Sequence, residues 1–158
     1  VSSEVLERTT YILRDVFPMD CIQYFHWFND DETRKYSNQP DVIEWSEHKE
    51  WFTNSINNPN KKMFMFIQTN PYAAVGQIRF ELTDNEWWLN YSIDSSFRGK
   101  GLSKLMITQG VEKLQSDNQI GVFKAQVKPE NIASNKVLTS LGWQKESDIY
   151  ELMKGNPS

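Results

Sequence analysis

Tyr91-Ser-Ile-Asp-Ser-Ser-Phe-Arg98-Gly99-Lys100-Gly101-Leu102-Ser-Lys-Leu-Met-Ile-Thr-Gln-Gly-Val-Glu-Lys-Leu-Gln115 is the stretch whose reading decides the rest of the chain. Its opening, with Trp87-Trp88-Leu89-Asn90 before it, is apolar and aromatic and predicts a strand. Its second half sets Leu102, Leu105, Met106, Val111 and Leu114 near helical spacing. Arg98-Gly99-Lys100-Gly101 lies between them. Two glycines let the backbone turn sharply and approach a ligand with no Cβ in the way. A helix that begins there leaves its first N–H groups without partners, at the positive end of its dipole. Strand, glycine turn and helix N-terminus together form an anion site suited to a pyrophosphate. Arg98 and Lys100 add positive charge. An ordinary strand-to-helix turn with its basic residues in solvent carries the same local signature, because short glycine patterns recur by chance.

Composition narrows the classes. At 158 residues the chain fits one domain with a proper core. Its formal net charge of −4 argues against general nucleic-acid affinity, while leaving room for a local basic pocket. The single cysteine, Cys21, excludes an internal disulfide and a thiolate metal cluster, and no metal site is expected. A lone cysteine is more often a small core residue than a nucleophile. No charged-then-apolar leader stands at the start, and no apolar run reaches roughly 18 residues. The expectation is a soluble cytoplasmic protein without a membrane partner. Six Trp, six Tyr and nine Phe suit either a ring-rich core or a pocket for planar groups.

Around the opening stretch the elements follow in order. Residues 9–16 predict a first strand, ended by Pro18; Asp20 can cap a short buried helix over 21–28. Residues 29–33 and 37–40 read as loops. A helix is expected over 46–56, with Trp51, Phe52 and Ile56 as its apolar stripe. Residues 63–67 are near-continuously apolar, as in a central strand. Residues 73–82 alternate after Gly76, with Ile78, Phe80 and Leu82 on one face and Gln77, Arg79 and Glu81 on the other. A hairpin turn at 83–85 leads into a strand over 86–94, and the long helix ends near 116–118. A strand over 122–128 stops at Pro129, and a helix over 133–141 is closed by Gly142. Residues 143–145 and 149–153 are short closing strands, and 155–158 a frayed tail.

A second piece, from Val127-Lys128-Pro129-Glu130-Asn131 through Ser134 to Leu141-Gly142-Trp143, fixes the reading. Asn131 follows a strand and precedes a helix, where its amide caps the helix or meets a ligand with donor and acceptor. Both pieces together resemble the GCN5-related N-acetyltransferase (GNAT) superfamily. Its acetyl-CoA signature, Arg/Gln-x-x-Gly-x-Gly/Ala, matches 98–103 with Ser103 in the last small position. Its Asn, Ser and terminal Leu-Gly-aromatic match Asn131, Ser134 and Leu141-Gly142-Trp143. The order of elements agrees over nearly the whole chain. Two weak motifs in register, about thirty residues apart, make a strong one.

The resemblance implies one acetyltransferase domain over 1–158. It implies an α+β fold (an α/β/α sandwich) with a mixed, mostly antiparallel sheet of six to seven strands and about four helices. It implies acetyl-CoA as co-substrate. The main chain of Gly99, Lys100, Gly101, Leu102 and Ser103, beside Arg98, would cradle the pyrophosphate. The main chain at Tyr91 and Ile93 would pair with pantetheine as an added strand. Asn131 would touch pantetheine, with Ser134 near the thioester.

Acetyl transfer to an amine needs a deprotonated amine, an oriented thioester and a stabilised thiolate. Many relatives place a Tyr in the last helix as thiolate donor; the matching residue here is Leu138. Others carry a Glu in the preceding strand, where Gln126 stands. Ser134 is then the expected proton donor, and Glu81, Glu86 and His48 the expected bases, each with solvent exposure as the competing reading. The first half resembles acetyltransferases of nucleotide-linked amino sugars in nonulosonic acid pathways. There Trp27, Asn29, Arg34, His48, Trp51 and Arg79 would meet the acceptor, Trp27 and Trp51 by stacking and Arg34 or Arg79 through phosphates. Core packing explains both Trp equally well. Ribosomal-protein N-terminal acetyltransferases share much of the pattern, and a non-catalytic acyl-CoA-binding module is the alternative from another class. The expected partner is a small-molecule amine, with no nucleic acid and with a homodimer left open.

Overall fold

The computed structural model describes residues 8–117 and 121–152. Strand β1 (Thr10–Asp15) leads through a 3-10 turn (Pro18–Asp20) into helices α1 (Cys21–Phe28), α2 (Asp31–Tyr36) and α3 (Trp45–Ile56). Strands β2 (Lys61–Thr69), β3 (Ala73–Thr83) and β4 (Glu86–Ile93) form a meander. A second 3-10 turn (Ser95–Phe97) precedes α4 (Leu102–Ser116). Then come β5 (Val122–Gln126), α5 (Ile132–Ser140), β6 (Gln144–Glu146) and β7 (Ile149–Leu152). The seven strands make one sheet in the order β1-β2-β3-β4-β5-β7-β6. Every pairing is antiparallel except β4 with β5.

Period-two alternation sorts the side chains into two cores. Phe64 and Phe66 of β2, Ile78 and Phe80 of β3, and Trp87 and Leu89 of β4 face α4 and α5, where Met106, Ile107, Leu114 and Leu138 complete the cluster. Met63, Met65 and Ile67 of β2 point to the other face, against Tyr24 and Phe28 of α1 and Phe52 of α3. Residues 63–67 are buried throughout, which is why they read as a central strand. Tyr24 fixes α1 to the sheet by donating its hydroxyl to Phe64 O at 2.8 Å.

The structure corrects the expected elements in one main place. The expected loop over 29–33 and the residues after it contain α2, a fifth helix. Asp30 caps it by accepting from Thr33 N–H; Asp31 and Glu32 lie in its first turn, Arg34 and Lys35 in its last. Both charge placements suit the helix dipole. Six residues are too few for an apolar stripe, so periodicity missed it. Asn118, Met153 and the tail over 155–158 lie outside the described residues.

Gly110 is where α4 approaches the sheet most tightly. A Cβ there would meet Ile78 Cδ1 at 2.9 Å and the Phe80 ring at 3.0 Å. Both neighbours are fully buried and have nowhere to move. Gly110→Ala gains about 1 kcal/mol of helix propensity but overpacks at a cost of about 1–3 kcal/mol. Urea unfolding of this variant is expected to show a lower midpoint than wild type at unchanged slope. A raised midpoint would show that α4 can lift off without loss.

Candidate active site

β4 runs beside β5 only through Glu86↔Val122, Trp87↔Phe123 and Trp88↔Lys124. Beyond that point each strand follows its other neighbour. β4 stays with β3 as far as Gly76↔Ile93. β5 stays with β7 as far as Gln126↔Ile149. The facing edges at 89–93 and 125–127 therefore part, and a cleft of about 1380 Å³ extends from the start of α4 to the loop before α3.

One end of the cleft is built from main chain. Asp94 accepts from Ser96 N–H and from the Trp27 indole N–H at 2.9 Å, which ties the turn after β4 to α1. Arg98 donates Nε–H to Ile93 O and pairs with Asp30 at 2.7 Å and Glu32 at 3.0 Å. Burial opposes ionisation of Asp30, but hydrogen bonds from Arg98 and Thr33 outweigh it and hold the carboxyl below its usual range. Gly99 and Gly101 have φ of +76° and +74°. A Cβ on either would meet nothing within 4 Å, so glycine is required by the left-handed backbone and not by crowding. Gly101 precedes α4 without a side-chain cap, and Leu102 sends its side chain into the core. The first N–H groups of α4 remain for a ligand.

Across the gap, Asn131 caps α5 by accepting from Ser134 N–H at 3.2 Å. Ser134 Oγ lies 2.6 Å from Tyr91 Oη, joining α5 to β4. Burial pushes the Tyr91 phenol up, and the Ser134 bond works against that rise. Gln126 donates to Asp148 Oδ2 at 2.9 Å, and both line the cleft.

The other end is aromatic and basic. Phe28 and Trp51 meet edge to face, and the Arg79 guanidinium lies over both rings, 4.7 and 5.4 Å from their centroids. Arg79 has no carboxylate within ion-pair distance among the described residues; its hydrogen bond goes to Gln77 Oε1 at 3.4 Å. Burial brings it down to about 10, still charged at neutral pH. Arg34 donates to the carbonyls of Phe28 and Gln39 and so shapes the loop that closes this end. His48 is 2% exposed, and its Nε2 lies 2.9 Å from Cys21 O. A ring nitrogen facing a carbonyl carries the hydrogen, and burial lowers the His48 pKa, which favours the neutral ring.

The model for the acetyltransferase (GNAT) domain matches residues 11–144. The chain belongs to the GNAT family of N-acetyltransferases. A search of curated proteins by sequence finds no match. Solved structures share the fold. A domain from Methanocaldococcus jannaschii is 20% identical, with 92% of this chain and 99% of that one covered at a TM-score of 0.81. A spermidine N-acetyltransferase from Vibrio cholerae, solved with CoA and spermine, is 14% identical over 89% and 92% at 0.79. RimL, a ribosomal L7/L12 alpha-N-protein acetyltransferase solved with CoA, is 17% identical over 91% and 94% at 0.78. The seven-stranded sheet with five helices is the GNAT fold. No helix among the described residues is long and apolar enough to cross a membrane.

In this GNAT domain one cleft gathers Tyr91, Ile93, Arg98, Gly99, Gly101, Leu102, Ser103, Asn131 and Ser134 with Arg34, His48, Trp51 and Arg79. Other expected residues stand outside the cleft or, like Arg98, have partners within the protein. Lys100 lies outside the lining, over the Phe97 ring. The Arg98 charge is met by Asp30 and Glu32. Trp27 is a core residue that holds the Asp94 turn. Asn29 clamps the main chain of Ile43, donating to its carbonyl and accepting from its N–H, and so sets the loop before α3. Glu81 is exposed on the part of β3 opposite Trp88 and Lys61, away from the cleft. Glu86 sits at the closed end of the β4–β5 pair, bound to Lys124 at 2.5 Å. Neither glutamate is placed to take a proton from an amine in the cleft. Sequence reading missed Asp148, whose turn between two short strands carries no local signal, and the side chain of Tyr91.

Proposed function

We propose that this GNAT protein, as a single domain over 1–158, moves an acetyl group from acetyl-CoA to the primary amine of a nucleotide-linked amino sugar. The cradle fits the co-substrate on two counts. α4 begins without a cap at two left-handed glycines. The parted edge of β4 offers unpaired main-chain groups to an extended amide chain. Bound acetyl-CoA supplies the activated acetyl group. The chain's own residues do the rest: main chain of 99–103 holds the anion, and the β4 edge aligns the arm. Ser134 stands as donor to the leaving sulfur. Asp148, its Oδ2 held by Gln126, lines the cleft and is the carboxylate assigned to meet the acceptor's ammonium.

The observation that carries the acceptor class is Arg79. A cation over Trp51 and Phe28 with no carboxylate in ion-pair contact among the described residues suits an acceptor bearing phosphate beside a planar ring. It disfavours a polycation such as spermine. The resemblance of 27–52 to the nucleotide-amino-sugar enzymes supports the same class. Thiol release from acetyl-CoA is to be compared with a UDP-linked amino sugar and a short peptide with a free N-terminus. The sugar is expected to give at least about tenfold higher kcat/KM, the least that one charged hydrogen bond provides. A peptide preference would overturn the acceptor. No turnover with any amine, while acetyl-CoA still raises the melting temperature, would leave an acyl-CoA-binding module.

A further inference from the structure

The hydroxyls of Tyr91 and Ser134 come from opposite walls of the gap and lie 2.6 Å apart. Both line the cleft. Leu138, one turn further along α5, is fully buried and apolar. A serine alone is a poor acid toward a thiolate, because an aliphatic alkoxide is far more basic than the sulfur it would protonate. A phenol is a far stronger acid than an aliphatic hydroxyl: its ordinary pKa of about 10 lies much nearer the thiol's of about 8.5, and although burial raises it in Tyr91, the bond from Ser134 opposes that rise. The 2.6 Å contact puts such a phenol within direct proton-transfer reach of the serine.

We infer that Tyr91 and Ser134 form a proton relay for the leaving thiolate, with Ser134 meeting the sulfur and Tyr91 supplying the proton from behind. The inference rests on acetyl-CoA occupying the gap as proposed above. As the tetrahedral adduct collapses, the C–S bond breaks and its electron pair goes to sulfur. The Ser134 O–H bond breaks as S–H forms. The Tyr91 O–H bond breaks as a new Ser134 O–H forms. The phenolate takes a proton from water, and the hydroxide so formed is neutralised by the proton that the attacking amine gives up to solvent, so the net transfer is amine N–H to thiol S–H. Burial keeps the phenol protonated through the neutral range, and the Ser134 bond steadies the phenolate when it forms. Tyr91 is a positioning residue in this scheme, since it acts through Ser134.

A purely structural bond between β4 and α5 would also be lost in Tyr91→Phe, so the test needs readouts that such a bond does not move. CoA binding by calorimetry, thermal unfolding and kcat are to be measured for wild type, Tyr91→Phe, Ser134→Ala and the double variant. The acceptor is whichever of the UDP-linked amino sugar and the peptide turns over. The donors are acetyl-CoA and its selenoester analogue, whose more acidic leaving selenol needs no proton. With acetyl-CoA each single variant is expected to lose about 100-fold in kcat, the scale of general acid catalysis, with CoA affinity unchanged. The double variant is expected to lose no more than either single one. With the selenoester the losses are expected to fall to a few-fold. Equal losses with both donors, or additive losses in the double variant, would overturn the relay in favour of a structural bond. Absence of wild-type turnover with either acceptor would overturn transfer itself, and the relay with it.

Discussion

Gly101→Glu is expected to abolish CoA binding while leaving a folded protein. The two halves of that result have separate causes. Gly101 sits at φ +74°, and a Cβ there meets no protein atom within 4 Å. The fold therefore feels only the strain of a side chain in the left-handed region, about 1–2 kcal/mol. The ligand feels more. Gly101 lines the cleft at the uncapped start of α4, and a carboxylate there would occupy the anion cradle and compete for its N–H groups. A carboxylate that near a pyrophosphate repels it as well. CoA affinity is expected to fall by about 100-fold or more, the scale of two charged hydrogen bonds lost, with the melting temperature lowered by several degrees. Gly101→Ala carries the strain without the charge and is expected to retain measurable binding. Calorimetric titration with CoA separates the two. Wild-type affinity in Gly101→Glu would mean that the pyrophosphate lies elsewhere.

Arg79→Met is expected to weaken the acceptor and strengthen the fold. An ion held against two rings, with no carboxylate in ion-pair contact among the described residues, bears a desolvation cost that its weak bond to Gln77 does not return. Methionine keeps the length of the stem and its packing on Phe28 and Trp51, and brings no charge to bury. The melting temperature is expected to hold or to rise. KM for a UDP-linked amino sugar is expected to rise by about 10–100-fold, the equivalent of one charged hydrogen bond of about 1.5–3 kcal/mol. The CoA affinity is expected not to change, since Arg79 stands at the other end of the cleft. A drop in stability with no change in KM would show that Arg79 is a packing residue.

The motif at 98–103 and the cap at Asn131 were legible because each depends on local backbone chemistry that two or three residues announce. A left-handed turn asks for glycine, and a helix start asks for Asn. The two-sided burial of 63–67 was legible because both faces of a central strand are apolar. What sequence could not show was partnership across distance. Arg98 reads as a free cation until α2 is seen to bring Asp30 and Glu32 to it. Glu86 reads as a base at an opening strand until its bond to Lys124 places it at the closed end. Trp27 and Trp51 read alike, yet one is in the core and the other in the cleft wall, because they lie on different faces of two packed helices. The Tyr91 side chain was passed over because the resemblance assigned that position its main chain alone.

The parted strands carry a last consequence. The groups proposed to hold the co-substrate at the cradle and along the strand edge are amides of the peptide chain, which every residue except proline possesses. Apart from Gly99 and Gly101, whose left-handed backbone asks for glycine, side chains at those positions are thus released to vary as long as the backbone keeps its path. Solved structures only 14–20% identical to this one share its fold at TM-scores of 0.78–0.81. A site of this kind is specified by a course through space more than by a set of letters.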